Sequence, residues 1–189
     1  MITELLYNTR TCRTFDESRR ITKEELISMV DCARVAPASM NLQPLSYRLV
    51  YTDEELDAVQ PLTGWGAALP ELELPPKGHR PRAFIVICQD TAKFGEKIIE
   101  KDVGITALAI YLRAAELGLG GCMIGNFKRE ALAQALKLPE TVRPVLVIGL
   151  GKPDEERRIT AVKEDGSTRY FRENGIHYVP KRSLDDIII

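Results

Sequence analysis

The segment from Lys101 to Gly120, KDVGITALAIYLRAAELGLG, limits the folds open to this chain more than any other stretch does. It carries the longest helical pattern in the sequence, and apolar residues occupy nearly every side of that helix. Such a helix has to be surrounded by protein, because a helix at a protein surface is normally apolar on one face only. The run from Gly118 to Gly121 predicts its end, since glycine tolerates left-handed backbone angles.

The other periodic segments are shorter helices and strands in an irregular order. Thr22 and Glu25 match a capping box at the start of a helix, and Pro37 ends that helix. We predict further helices over 2–8, 52–59 and 128–139, and strands over 45–52, 83–90 and 143–153. The segment 83–90 reads as a strand that is buried on both faces. Because strands and helices do not alternate regularly, the pattern favours an α+β fold with a mixed or antiparallel sheet.

Length and charge exclude several classes of protein. A chain of 189 residues with no internal repeat or Gly/Ser linker predicts a single domain over 1–189, with a core over 1–153 and a polar C-terminal arm over 154–189. A net charge of −1 argues against nucleic acid as a partner. No apolar run is long enough to predict a membrane span. Four cysteines without CxxC spacing and no secretory signal indicate reduced thiols, no metal site and a cytoplasmic location.

Two basic segments are candidates for binding an anion. The cluster RTCRTFD holds the guanidinium groups of Arg10 and Arg13 close to the hydroxyl of Thr11. Guanidinium forks match the geometry of phosphate oxygens. Surface salt bridges are the plainer interpretation of this cluster, and a solvated charged face is the plainer interpretation of the second segment. That second segment follows the last core strand and contains Lys152, Arg157 and Arg158.

Two loops have compositions suited to a flat polar ligand. The loop APASMNLQP presents Ser39, Asn41 and Gln43 at alternate positions between two prolines, where they would read the edge of a ring or simply form a helix-to-strand turn. The run GLGGCMIGNF lets the main chain pass close to a ligand, because glycine has no Cβ. It closes a helix instead of opening one, so it is not the dinucleotide-binding fingerprint.

The order of four segments resembles the nitroreductase family of FMN-dependent oxidoreductases. The segments are TRTCRTF, APASMNLQPLSYRLV, the long helix with its glycines, and VLVIGLGKP. The resemblance runs from about Ile2 to Pro153. It implies a central, mostly antiparallel sheet flanked by helices, with a domain-swapped C-terminal tail, in a homodimer that holds tightly bound FMN at its interface. It also implies NAD(P)H as the electron donor and nitroaromatics, quinones or similar small molecules as acceptors. Thr9 and Leu45 depart from the family, which often has arginine and an aromatic residue at those positions.

The same resemblance implies a flavin site with no catalytic side chain, because FMN carries the chemistry. Arg13 is also the candidate cation beside the reduced ring. The implied cofactor-binding residues are Arg10, Thr11 and Arg13 at the phosphate and the polar edge of the ring, Pro37, Ser39, Asn41 and Gln43 along the ring system, Met123, Ile124 and Gly125 beside its reactive nitrogen, and Lys152, Arg157 and Arg158 at the phosphate.

Two other functions remain open at this point. One is a flavoprotein of the same fold with different chemistry, such as reductive dehalogenation or flavin cleavage, with Glu71 and Glu73 as a candidate substrate clamp. The other is a flavin-binding protein without turnover. The proline-rich segment 60–82, which contains Trp65, is either a lid over the acceptor or a variable surface connection.

Overall fold

The computed structural model describes residues 1–189, and its main element is one antiparallel sheet of five strands. The strands are β1 (Phe15–Asp16), β2 (Leu45–Val50), β3 (Ala83–Asp90), β4 (Gly120–Ile124) and β5 (Val142–Pro153). β3 lies between β2 and β5, and the other edge of β5 pairs with β4 and, at its C-terminal end, with β1. The predicted α+β fold with a mostly antiparallel sheet is confirmed.

Six α-helices accompany the sheet, and the start of α2 and the end of α5 are as the sequence predicts. They are α1 (Ile2–Asn8), α2 (Lys23–Val35), α3 (Asp53–Val59), α4 (Thr91–Phe94), α5 (Glu100–Glu116) and α6 (Arg129–Ala135). At the start of α2, the Glu25 N–H donates to Thr22 Oγ1 at 3.2 Å and the Thr22 N–H donates to the Glu25 carboxylate at 2.9 Å. After α5, Gly118 has a φ of +71°. No helix is both long enough and apolar enough to cross a membrane.

Helices cover both faces of the sheet, which explains why β3 is apolar along its whole length. Successive side chains of a strand point to opposite faces. Ile85 and Ile87 pack into a core shared with α2 and α5. Phe84 and Val86 pack into a second core shared with α3 and α6. The predicted burial of this strand on both faces is confirmed.

One side of α5 is open in the single chain. Val103, Ala107 and Ile110 are buried on the other side of the helix. Ile105 is 41% exposed and Leu108 is 43% exposed, and no atom lies within 4 Å of the position that a Cβ on Gly104 would take. The prediction that protein surrounds α5 is therefore confirmed only for its inner side.

The C-terminal arm forms a small sheet of its own. Its strands are β6 (Glu156–Ala161), β7 (Phe171–Glu173) and β8 (Ile176–Lys181), with β8 in the middle, parallel to β6 and antiparallel to β7. This sheet contacts the N-terminal loop of the same chain, where Arg172 Nη2 donates to Thr14 Oγ1 at 3.2 Å. The expected domain-swapped tail is not confirmed.

Trp65 does not cover a cavity for an acceptor. Its ring meets Phe15 edge-on with centroids 6.2 Å apart, and its Nε1 donates to Thr63 Oγ1 at 2.8 Å. A Cβ on Gly149 of β5 would lie 2.7 Å from the Trp65 ring. The indole thus packs against the sheet beside the second core, and the lid interpretation stays a prediction for the rest of the segment 60–82.

Candidate functional site

A cavity of about 260 Å³ lies where the N-terminal loop, α5, β4 and the C-terminal sheet meet. We call it the arginine cavity. Eleven residues line it, and four of them belong to the set that the sequence implied: Arg10, Thr11, Arg13 and Met123.

The N-terminal loop reaches this position because it pairs with β4. Thr11 forms a parallel bridge with Gly121, and the Cys12 N–H donates to the Gly121 carbonyl at 2.7 Å. A Cβ on Gly121 would lie 2.6 Å from the carbonyl oxygen of Gly149 in β5. Glycine at this position is therefore required by strand packing, and not by the close approach of a ligand.

Arg10 and Arg13 are cations without an acidic partner, since no carboxylate lies within 4.0 Å of either guanidinium group. Arg10 Nη2 donates to the Leu6 carbonyl, and Arg157 Nη1 donates to the Arg10 carbonyl at 2.6 Å. Burial lowers the pKa of Arg10, and the positive charge of Arg157 lowers it further. The cavity lining thus carries three cationic side chains, Arg10, Arg13 and Lys181, and Arg157 contacts Arg10 from outside the lining.

Several polar atoms around the cavity are buried without a hydrogen-bond partner. They are Arg10 Nε, Arg13 Nε and His177 Nδ1. A buried polar group without a partner costs about 1–3 kcal/mol, so such groups are normally satisfied. Donors of this number beside unpaired arginines fit a ligand with anionic oxygens, and the residues present therefore suit the phosphate and polar ring edge of FMN.

The C-terminal arm supplies cavity residues that the sequence analysis missed. Tyr170 and His177 both line the cavity, and Arg13 lies against both of them. Burial lowers the pKa of His177 to about 4, so its ring is neutral at pH 7. The only sequence signal was the rarity of histidine, which occurs twice in the chain.

The loop after α2 is held by a buried carboxylate. Asp102, in the first turn of α5, is 1% exposed. The Ser39 N–H lies 3.0 and 3.2 Å from its two oxygens, and the Ser39 hydroxyl donates to it at 2.7 Å. Asn41 and Gln43 follow with φ of +56° and +50°, and Gln43 Nε2 donates to Asn41 Oδ1 at 3.2 Å. Non-glycine residues rarely adopt such angles, and they persist where the surroundings enforce them.

This loop does not reach the arginine cavity of its own chain. Gln43 lines a second cavity of about 260 Å³, together with Asp102 and Thr106 of α5, while Pro37 and Asn41 are exposed. Successive residues of a helix are rotated by about 100°. Thr106 and Leu108 are two residues apart, so their side chains point to nearly opposite sides of α5, and Leu108 lines the arginine cavity. The single chain therefore holds two separate groups of implied flavin residues.

The three residues after Cys122 have different environments. Met123 is 40% exposed and lines the arginine cavity, whereas Ile124 is 2% exposed and its side chain packs into the second core. Gly125 is exposed, with no atom within 4 Å of a Cβ position. Main chain at Gly125 is thus open to a ligand.

Of the three predicted cations in and after the end of β5, only one contacts Arg10. Lys152 Nζ pairs with Asp16 at 2.8 Å, and Arg158 pairs with Glu156 on the surface at 2.5 Å. Arg157 alone reaches the N-terminal loop. None of the three lines the cavity itself.

Comparison with known proteins gives matches over most of the chain. The family model described as Nitroreductase family matches residues 6–152. A protein of Archaeoglobus fulgidus, whose name suggests an NADH dehydrogenase or NAD(P)H nitroreductase, is 28% identical over 160 residues, which cover 82% of this chain and 86% of that protein. A solved FMN-dependent nitroreductase of Clostridium difficile R20291 is 26% identical, with a TM-score of 0.66 and coverage of 90% and 97%. A protein of Exiguobacterium sibiricum 255-15 that is described as a proposed nitroreductase was solved in complex with FMN. Its TM-score is 0.66 at 18% identity, and the match covers 82% of this chain and 89% of that chain.

Proposed function

This chain belongs to the nitroreductase family, and we propose that it is an FMN-dependent oxidoreductase that transfers electrons from NAD(P)H to nitroaromatics, quinones or similar electron-poor molecules. The observation that carries this proposal is the cavity in which Arg10 and Arg13 lie without acidic partners. Relatives named as FMN-dependent, or solved with FMN, support the choice of cofactor.

FMN, when bound, supplies the hydride and electron transfer, so the protein has only to hold it, orient it and adjust its charge environment. Arg10 and Thr11 would bind the phosphate through charge-assisted hydrogen bonds, which are stronger than bonds between neutral groups. Arg157 would support them, because its guanidinium group already lies against Arg10. Lys152 and Arg158 are held in ion pairs elsewhere and have no part in this proposal.

Arg13 would lie beside the polar edge of the ring. A fixed cation there favours the negative charge that the ring gains on reduction, because preorganised charge in a buried site is only weakly screened. The open main chain at Gly125 would face the ring. Since one cavity would have to serve both donor and acceptor, they would bind in turn, which predicts ping-pong kinetics.

A homodimer would complete the site. The exposed stripe of α5 that contains Gly104, Ile105 and Leu108 lies between the two cavities on the helix surface. Exposed apolar surface of this kind marks interaction sites, and a two-fold contact buries the same stripe on both chains. Such a contact would bring Ser39, Asn41 and Gln43 of one chain toward the arginine cavity of the other.

Purification and anaerobic reduction test the proposal directly. The protein should be yellow, NADH or NADPH should bleach it without oxygen, and a nitroaromatic or quinone should restore the colour. Arg10→Ala should weaken FMN binding roughly 10- to 100-fold, because a hydrogen bond to a charged group contributes about 1.5–3 kcal/mol. The control is Arg158→Ala, which removes an exposed arginine of the C-terminal arm and should leave the affinity for FMN unchanged. A protein that stays colourless after incubation with FMN would refute the proposal.

A non-catalytic flavin-binding protein is the alternative from a different functional class. It would be yellow and would retain its colour in the presence of either nicotinamide. The absence of a nucleophile does not separate the two functions, because neither requires one. The bleaching step is therefore the decisive measurement.

A further inference from the structure

The guanidinium group of Arg13 is held by two aromatic side chains from the opposite end of the sequence. Its Cζ lies 4.5 Å from the centroid of the Tyr170 ring, and its Nη1 lies 3.4 Å from His177 Nε2. The two rings are 5.3 Å apart and inclined at 54° to each other. Arg13 is 7% exposed and His177 is 2% exposed. Together with the half-buried Tyr170 they form one cluster, which we call the Arg13 clamp.

The clamp is an unusual environment for a buried arginine. Buried charges are normally paired, because burial of a charge without a partner is costly. Arg13 has no carboxylate within ion-pair distance, and its Nε has no hydrogen-bond partner. Glu155, the nearby acid, accepts from the Arg13 main-chain N–H and pairs with Arg172 instead. The surroundings of Arg13 therefore fix the side chain and leave its charge available to a ligand.

The protonation state of His177 is consistent with its contact with Arg13. Nη1 of Arg13 can only donate, so Nε2 of His177 has to be the acceptor and must carry no proton. Burial lowers the pKa of His177 to about 4, and the neutral ring does not repel the guanidinium group. Tyr170 contributes the face of its ring, which attracts a cation. An aromatic face and a neutral nitrogen both orient Arg13 without cancelling its charge, as a carboxylate would.

We propose that Tyr170 and His177 are positioning residues that hold Arg13 at the polar edge of bound FMN and thereby raise the reduction potential of the flavin. This inference rests on the proposed function. It assigns to the C-terminal arm a role in the redox properties of the site, although Tyr170 and His177 lie more than 150 residues away from Arg13 in sequence.

The test compares paired variants in the FMN-loaded protein. His177→Phe removes the acceptor and keeps a ring, whereas His177→Gln keeps an acceptor oxygen. Tyr170→Leu removes the aromatic face, whereas Tyr170→Phe keeps it. The midpoint potential of bound FMN is measured by anaerobic equilibration with a reference dye. The first member of each pair should bind reduced FMN about tenfold less tightly relative to oxidised FMN, which lowers a two-electron potential by about 30 mV. The second members should keep the wild-type potential.

A double-mutant cycle separates positioning from general damage to the fold. In an Arg13→Ala background, Tyr170→Leu should cause no further fall in potential, because the cation that it orients is already absent. A potential unchanged in both His177→Phe and Tyr170→Leu would overturn the inference while FMN binding remained intact. Equal further falls in the Arg13→Ala background would also overturn it. A wild-type protein that binds no FMN would overturn the proposed function itself. If His177→Phe does not fold, Tyr170→Leu, at a partly exposed position, carries the test alone.

Discussion

Asp102 should contribute more to stability than any exposed carboxylate of the chain, because it anchors the loop after α2 from inside the protein. The perturbation is Asp102→Ala. The carboxylate receives the main-chain N–H of Ser39, shared between its two oxygens, and the Ser39 hydroxyl. Each hydrogen bond to a charged group contributes about 1.5–3 kcal/mol. A carboxylate in the first turn of a helix adds about 0.3–1 kcal/mol.

These contributions sum to about 3–7 kcal/mol, and relief from burying a charge offsets part of them. We therefore expect Asp102→Ala to lower the free energy of unfolding by about 2–3 kcal/mol. The loop would also lose the anchor that holds Asn41 and Gln43 at positive φ. Amide hydrogens over 39–43 should accordingly exchange faster than in the wild type.

Urea unfolding at pH 7, followed by circular dichroism, measures the difference. Asp31→Ala is the matched control, because Asp31 is exposed and pairs only with Arg34 on the same helix. It should stay within about 0.5 kcal/mol of the wild type. A loss below about 1 kcal/mol for Asp102→Ala, or one equal to that of Asp31→Ala, would refute the reasoning.

Three further predictions concern the core, the C-terminal sheet and the interface. Gly149→Ala should destabilise the protein by about 1–3 kcal/mol in thermal unfolding and shift the fluorescence of Trp65, because the new Cβ would lie 2.7 Å from the indole ring. The control is Gly125→Ala, which should leave thermal unfolding unchanged because no atom lies within 4 Å of its Cβ position. The pKa of His177 is about 4 in the folded protein, below its ordinary value of 6.5. The contribution of its neutral ring to the free energy of unfolding is therefore complete above about pH 6.5 and declines as the pH falls toward 4. In urea unfolding, His177→Gln should lose less stability than the wild type over this pH range. Leu108→Arg should convert the proposed dimer to a monomer in light scattering, and a monomeric wild type would contradict the interface.

Local structure could be predicted where a few neighbouring residues are enough to decide it. The capping box of Thr22 and Glu25 lies within one helical turn, and its hydrogen bonds form as expected. The apolar run of β3 indicated a strand between two layers, and both cores are present. The exposed stripe of α5 could not be predicted, because composition alone does not tell a side that faces the sheet from a side left open.

The residues of the candidate site also divide into those that the sequence could predict and those that it could not. The cluster of Arg10, Thr11 and Arg13 could be recognised because its members are adjacent in sequence, and they line one cavity. Asp102 was missed because its partner Ser39 is 63 residues away. The sequence also could not separate Arg157 from Arg158, since only the path of β6 decides which of the two points toward Arg10.

The sequence by itself determined the fold class, the family and the group of arginines that faces the cavity, because periodicity, capping and short motifs act over a few residues. Only the tertiary structure decided that Tyr170 and His177 enclose Arg13 and that the loop of Asn41 lies on the other side of α5. Contacts of this kind depend on how distant segments pack, and no local pattern of residues records them.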